Sequence, residues 1–87
     1  MIWTVAYKPS AEQELARLWN DAPDRAAVTD AANQIDALLK VDPLTQGESR
    51  SGTTRILFVP PLAVLFEVSE DDRYVDVLQV WRIPPPN

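Results

Sequence analysis

The 87-residue sequence contains neither cysteine nor histidine. Without cysteine there can be no disulfide, no iron–sulfur cluster and no thiolate nucleophile, so the core has to hold without covalent staples. The missing histidine removes the usual general base and the commonest transition-metal ligand, and with them Ser–His and Cys–His catalysis. Glycine is scarce: Gly47 and Gly52 are the only two, and neither is followed by the lysine and helix of a phosphate-cradling loop. No apolar run approaches the roughly 20 residues of a membrane span. The opening MIWTVAYKPS lacks a basic leader followed by a long apolar stretch, so a cytoplasmic location is expected and a membrane partner is not. Basic residues are in deficit, eight against thirteen acidic ones, for a net charge of −5. That balance disfavours nonspecific attraction to phosphates, while leaving room for a local basic patch.

A hydrophobic fraction of 46% and a charged fraction of 24% suit a soluble globular protein. A chain this short can bury one modest core, and the expectation is a single domain over residues 1–83 with a proline-rich tail over 84–87. Ile2 to Tyr7, rich in β-branched and aromatic residues, reads as a strand. Pro9 ends it, and Ser10 with Gln13 three residues later has the form of a capping box. Ala11, Leu15, Leu18 and Trp19 then mark one face of a helix of about ten residues. Pro23 and Asp24 suit the first turn of a second helix, whose stripe is Val28, Ala31, Ala32, Ile35, Leu38 and Leu39. With so short a connection the two form an antiparallel hairpin.

Asp42-Pro43 closes the second helix, and residues 42–53 read as a long loop. Three strands follow. Arg55 to Val59 ends at Pro60-Pro61. Leu62 to Val68 alternates, with Leu62, Val64, Phe66 and Val68 on one face. Arg73 to Ile83 reads as a central strand, with Val75, Val77 and Trp81 together and Tyr74 opposite Trp81. The fold class is therefore α+β: a helical hairpin on a twisted antiparallel sheet, in the order β-α-α-β-β-β. Trp3, Trp19, Phe66, Ile35 and Leu38 are expected to dominate the interface between the layers, at about 1.5–3 kcal/mol for each buried side chain.

The chemistry-bearing residues are few. Arg50, Arg55, Arg73 and Arg82 lie in the second half, which is closer to neutral: residues 1–49 hold four basic and eight acidic groups, residues 50–87 four and five. Brought together, Arg50, Arg55 and Arg82 would make a phosphate-binding patch; otherwise they are strand-end arginines paired with Asp76 or Glu67, or solvated. Tyr7, Tyr74 and Trp81 could stack on exposed bases or pack under a helix. The carboxylates Glu12, Glu14, Asp21 and Asp24 are explained by helix starts. No spacing suits calcium, and neither a metal nor a cofactor is expected.

Taken in order, these pieces resemble the RelE/ParE superfamily of small toxins from type II toxin–antitoxin modules, the plasmid-stabilisation type. The resemblance runs from about Trp3 to Ile83. It is carried by Tyr7-x-Pro9-x-Ala11, Ile35-Asp36-x-Leu38-Leu39, Asp42-Pro43 with Gly47, Gly52-x-x-Arg55-Ile56-Leu57, Pro61-Leu62-x-Val64-x-Phe66-x-Val68, and Val75-x-Val77-Leu78-x-Val80. It implies a growth inhibitor neutralised by a cognate antitoxin, acting through ribosome-dependent mRNA cleavage or through DNA gyrase, with a homodimer as a further candidate assembly. In the cleaving branch, cationic side chains stabilise phosphate. The resemblance then implies catalytic roles for Arg55 and Arg82, while nucleic-acid contacts for Arg50 and Arg73 are expected from the arginines of the second half alone. Three departures stand out. Phe58-Val59 occupies a strand end that is often basic in cleaving members, no C-terminal helix with its tyrosine follows Arg82, and the chain is acidic. These departures favour an alternative of another class, a noncatalytic protein-binding module that keeps the fold without toxicity.

Overall fold

In the computed structural model, which describes residues 2–84, five strands and two helices form two layers. β1 (Thr4–Tyr7) leads into α1 (Pro9–Asp21) and α2 (Arg25–Val41); β2 (Glu48–Ser51), β3 (Thr54–Val59), β4 (Leu62–Ser69) and β5 (Tyr74–Arg82) complete the chain. The sheet order is β1-β5-β4-β3-β2. All its pairings are antiparallel except β1 with β5, which is parallel, so the sheet is mixed. The parallel pair is possible because the helical hairpin and three strands separate its members, giving the long crossover such a pairing requires.

The helices form for local reasons, and their faces match the apolar spacing. Pro9 sits in the first turn of α1 after Lys8, which is extended with ψ 147°. A residue before proline is driven to that conformation, and proline's fixed φ suits the first helical position. The helix therefore starts one residue ahead of the expected Ser10 cap and runs 13 residues. Asp24 precedes α2, leaving Pro23 outside the helix. Val28, Ala31, Ile35 and Leu39 are buried at spacings of three and four residues, the single stripe that faces a sheet. Against them lie Leu62, Val64, Phe66 and Val68 of β4 and Val75, Val77 and Val80 of β5, all in one core with Trp3.

The sheet is thus mixed rather than antiparallel throughout as expected, and three further expectations change. First, residues 48–51 are not loop but the edge strand β2, Glu-Ser-Arg-Ser, exposed throughout. It carries no apolar alternation because neither face is buried; backbone pairing to Arg55 and Ile56 holds it. Gly47 makes that approach possible: its φ is +67°, and a Cβ there would lie 1.9 Å from the Ile56 carbonyl oxygen. Second, Trp19 is not under the sheet but 41% exposed, with its indole N–H donating to Thr29 Oγ1 at 3.0 Å. Third, the β4–β5 register shifts between Leu65 and Phe66, which pair with Gln79 and Val77, so Leu78 is an extra residue in β5. A bulge reverses the alternation beyond it. Val80 thus joins Val75 and Val77 in the core, while Trp81 falls on the face of Tyr74, opposite to the arrangement expected from strict alternation. Pro84 is exposed; the remainder of the expected tail, 85–87, lies outside the described residues.

Candidate functional site

The four arginines follow from these registers. Arg82 pairs with Leu62 across β4–β5 and so projects on the helix side of the sheet. Its Nη2 donates to Asp24 Oδ1 and Oδ2 at 2.9 and 3.0 Å, tying the end of β5 to the start of α2. Arg55 pairs with Phe66 and donates through Nε to the Gln46 carbonyl at 2.9 Å and through Nη2 to the Gly47 carbonyl at 3.1 Å. Arg73, with a φ of +49°, closes the β4–β5 turn and stacks its guanidinium 4.5 Å from the centre of the Trp3 ring, a cation–π contact. Arg50 is exposed on β2.

The fold does not gather these four side chains. Phe66 and Leu62, the partners of Arg55 and Arg82, lie four residues apart on β4, roughly 13 Å along the strand. On the adjacent strand Arg55 pairs with Ser49, and Arg50 is the next residue along β2, where the register is irregular; Arg73 lies at the β1–β5 side of the sheet. Neither anticipated carboxylate partner is used. Asp76 instead lies 3.8 Å from the Lys8 ammonium, and Glu67 accepts from Thr53 Oγ1 at 3.4 Å.

The sheet face turned away from the helices has a different chemistry. Across β3, β4 and β5, Phe58, Ala63 and Trp81 form one row, and Ile56, Leu65 and Gln79 the next. Phe58 is 50% exposed. Glu67 and Asp76 are cross-strand neighbours on this same face. Two adjacent carboxylates repel phosphate, so this face can offer apolar contact and hydrogen bonds but little to a polyanion.

The helical hairpin carries a second apolar surface. Leu15, Ala16 and Trp19 of α1 and Val28, Thr29 and Ala32 of α2 line an open groove of about 490 Å³. Trp19 forms its rim, held by Thr29 and by the Arg25 guanidinium 4.7 Å from the ring centre. Sequence spacing assigns Trp19 to the apolar face of α1. It gives no sign that the tryptophan lies at an exposed groove between the two helices, which depends on how they cross.

One titrating group is strongly perturbed. Burial, reinforced by the Asp36 carboxylate and its hydrogen bond, pushes the Tyr7 hydroxyl up to about 12. The contact, 3.5 Å from Tyr7 Oη to Asp36 Oδ1, joins β1 to α2, so the shift belongs to packing between the layers. On α1, the hydrogen bond from Arg17 holds the Glu14 carboxyl below the usual carboxylate range.

The comparison with solved structures decides the fold. A chain of the toxin–antitoxin complex RelBE2 from Mycobacterium tuberculosis superposes with a TM-score of 0.77 at 18% identity, covering 94% of this chain and 92% of that one. A chain of the chromosomal ParDE system from P. aeruginosa gives 0.72 at 21% identity, over 94% and 97%. The isolated E. coli RelE toxin gives 0.69 at 10% identity, over 98% and 88%. This is the RelE/ParE toxin fold. No protein-family model matches the sequence, and no curated protein does. The RelE/ParE fold thus holds here with little shared sequence, as expected where apolar pattern and volume specify the core rather than residue identity.

Proposed function

We propose that this protein is the toxin component of a type II toxin–antitoxin module, a cytoplasmic growth inhibitor neutralised by a cognate antitoxin, and that it acts by binding its target. The observation that carries the reading is the superposition over nearly the whole chain on structures of toxin–antitoxin systems. The apolar groove beside Trp19 supports a protein partner, because an exposed tryptophan on an apolar surface is a common anchor of protein interfaces. Binding is favoured over cleavage because Arg82 is held by a carboxylate and Arg55 by two carbonyls, and because the open sheet face carries Glu67 and Asp76.

The test is expression of the chain alone and with the small protein encoded beside its gene. Growth arrest relieved by the second protein is the expected result; harmless expression alone removes the reading. Purified protein is then assayed for inhibition of DNA gyrase and for mRNA cleavage on ribosomes. Cleavage by the wild type that falls at least tenfold in both Arg55→Ala and Arg82→Ala would restore these two residues as catalytic. Arg50→Ala and Arg73→Ala would then test the nucleic-acid contacts. A single domain over 1–83 is part of the same proposal, checked by a truncation after Ile83 that keeps activity.

A further inference from the structure

The helical hairpin has two apolar sides. One supplies Ala11, Val28, Ala31, Ile35 and Leu39 to the core. The other holds the open groove of about 490 Å³, which is lined by residues of α1 and α2 alone. The groove combines a projection with a recess. Trp19 stands at one end, 41% exposed, while Ala16 and Ala32 farther along are too short to fill the space between the helices. The tryptophan is already fixed: Thr29 Oγ1 accepts its indole N–H and the Arg25 guanidinium lies over its ring. Seating it in a partner therefore orders no loose side chain.

Charge is laid out in the same sense. Glu12 marks the end of the groove away from Trp19, two turns and about 10 Å back along α1. Arg25 marks the other end, where it also donates to the Trp19 and Asn20 carbonyls at 3.2 and 3.0 Å. Both are exposed, and Glu12 takes part in none of the ion pairs among the described residues. A half-turn about an axis across the groove exchanges its two ends, as an isologous two-fold contact requires. It lays α1 antiparallel on α1 of a second copy, projection over recess and Glu12 over Arg25.

We propose that a second copy of this chain packs on the groove, hairpin against hairpin, with each Trp19 seated over Ala16 and Ala32 of the other copy and each Glu12 beside the other copy's Arg25. Self-complementarity selects the occupant. A lone helix from another protein, lying along the groove, meets the Trp19 rim, whereas a second hairpin brings a matching recess for it and a carboxylate for Arg25. α1 has 13 residues, hence a length of about 20 Å, and two helices side by side span about 20 Å. Faces of that size bury less than the roughly 800 Å² per partner of a standard interface, so the dimer is a weak one. The inference does not rest on the toxin reading, because it is read from mass and crosslinking rather than from growth arrest.

Sedimentation equilibrium of the full chain tests it, in about 0.15 M salt so that the net charge of −5 on each copy is screened. The wild type is expected to be half dimeric at a concentration on the order of 100 μM. A monomer throughout, up to about 1 mM, overturns the proposal and leaves the groove to a different protein. Trp19→Ala removes the anchor, and Glu12→Arg sets like charge beside Arg25; each is expected to weaken the dimer about tenfold or more. Glu12 is exposed and outside the core, so its variant keeps the readout even where Trp19→Ala fails to fold. A dimer that withstands Glu12→Arg is built on another surface and overturns the site. The cysteine-free chain lets single cysteines locate the axis, with copper–phenanthroline as the oxidant. Ala16 meets its own copy, so Ala16→Cys is expected to give a covalent dimer. Two Glu12 positions lie about 12 Å apart along the antiparallel helices, beyond disulfide reach, so Glu12→Cys is expected to stay single. Any other pattern overturns the arrangement.

Discussion

The two halves of β5 contrast sharply although they belong to one strand. From Tyr74 to Val77 it has β1 on one side and β4 on the other, and Val75 and Val77 are fully buried. From Leu78 to Arg82 it is paired on one side, Gln79 is exposed, and its last side chain is tied to a helix start by an ion pair. The bulge at Leu78 divides them. Below it, β5 is paired on both sides and buried by apolar packing; above it, among the described residues, only β4 pairs with it. The one-sided end of a strand is expected to open locally at lower free energy than its doubly paired part.

The contrast can be broken most severely from the buried half. Phe66→Ala empties the position opposite Val77 and should cost about 3–5 kcal/mol, measured by chemical denaturation; a loss near that of a surface substitution would show that the core is not centred there. In the upper half, Asp24→Ala leaves the Arg82 guanidinium without its carboxylate. The pair is partly solvated, so the expected loss is smaller, about 1–2 kcal/mol, with faster exchange confined to the end of β5 and the first turn of α2.

The third effect concerns only alkaline pH. The Tyr7 hydroxyl is pushed up to about 12 from an ordinary value near 10. A folded-state value above the unfolded one means that the contribution is complete below pH 10 and is lost as pH rises through 12, since the unfolded chain gives up its proton first. Thermal unfolding of the wild type should therefore weaken across that window more than that of Tyr7→Phe, with the two nearly alike at neutral pH. Identical profiles from pH 9 to 12 would mean that Tyr7 ionises freely in the folded protein.

How much of this was legible beforehand differs by element. Both helices, β1, β3 and β4 could be read because each buries one face, and burial imposes a period of 3.6 or 2 on the apolar residues. β2 was not legible, since a strand exposed on both faces carries no apolar pattern and is held by backbone pairing alone. Strict alternation puts Trp81 on the wrong face because nothing in Val-Leu-Gln-Val-Trp marks the extra residue of a bulge. Among the site candidates, the arginines were visible as residue types, but their partners were not. Arg82 and Asp24 are separated by 58 positions, and the carbonyls that hold Arg55 belong to a stretch expected to be loop.

The sequence by itself determined the layers, through apolar period, proline positions and the small number of elements that can cover one another. It also excluded thiol and histidine chemistry outright, because those functional groups are not in the chain. Only the tertiary structure decided that β1 runs parallel beside β5 and stops short of its end, that Arg82 spends its charge on Asp24, and that Trp19 stands at the rim of a groove. Those outcomes depend on register and on which distant segments meet. Register is set by the packing of whole faces against one another, and no single stretch of sequence contains it.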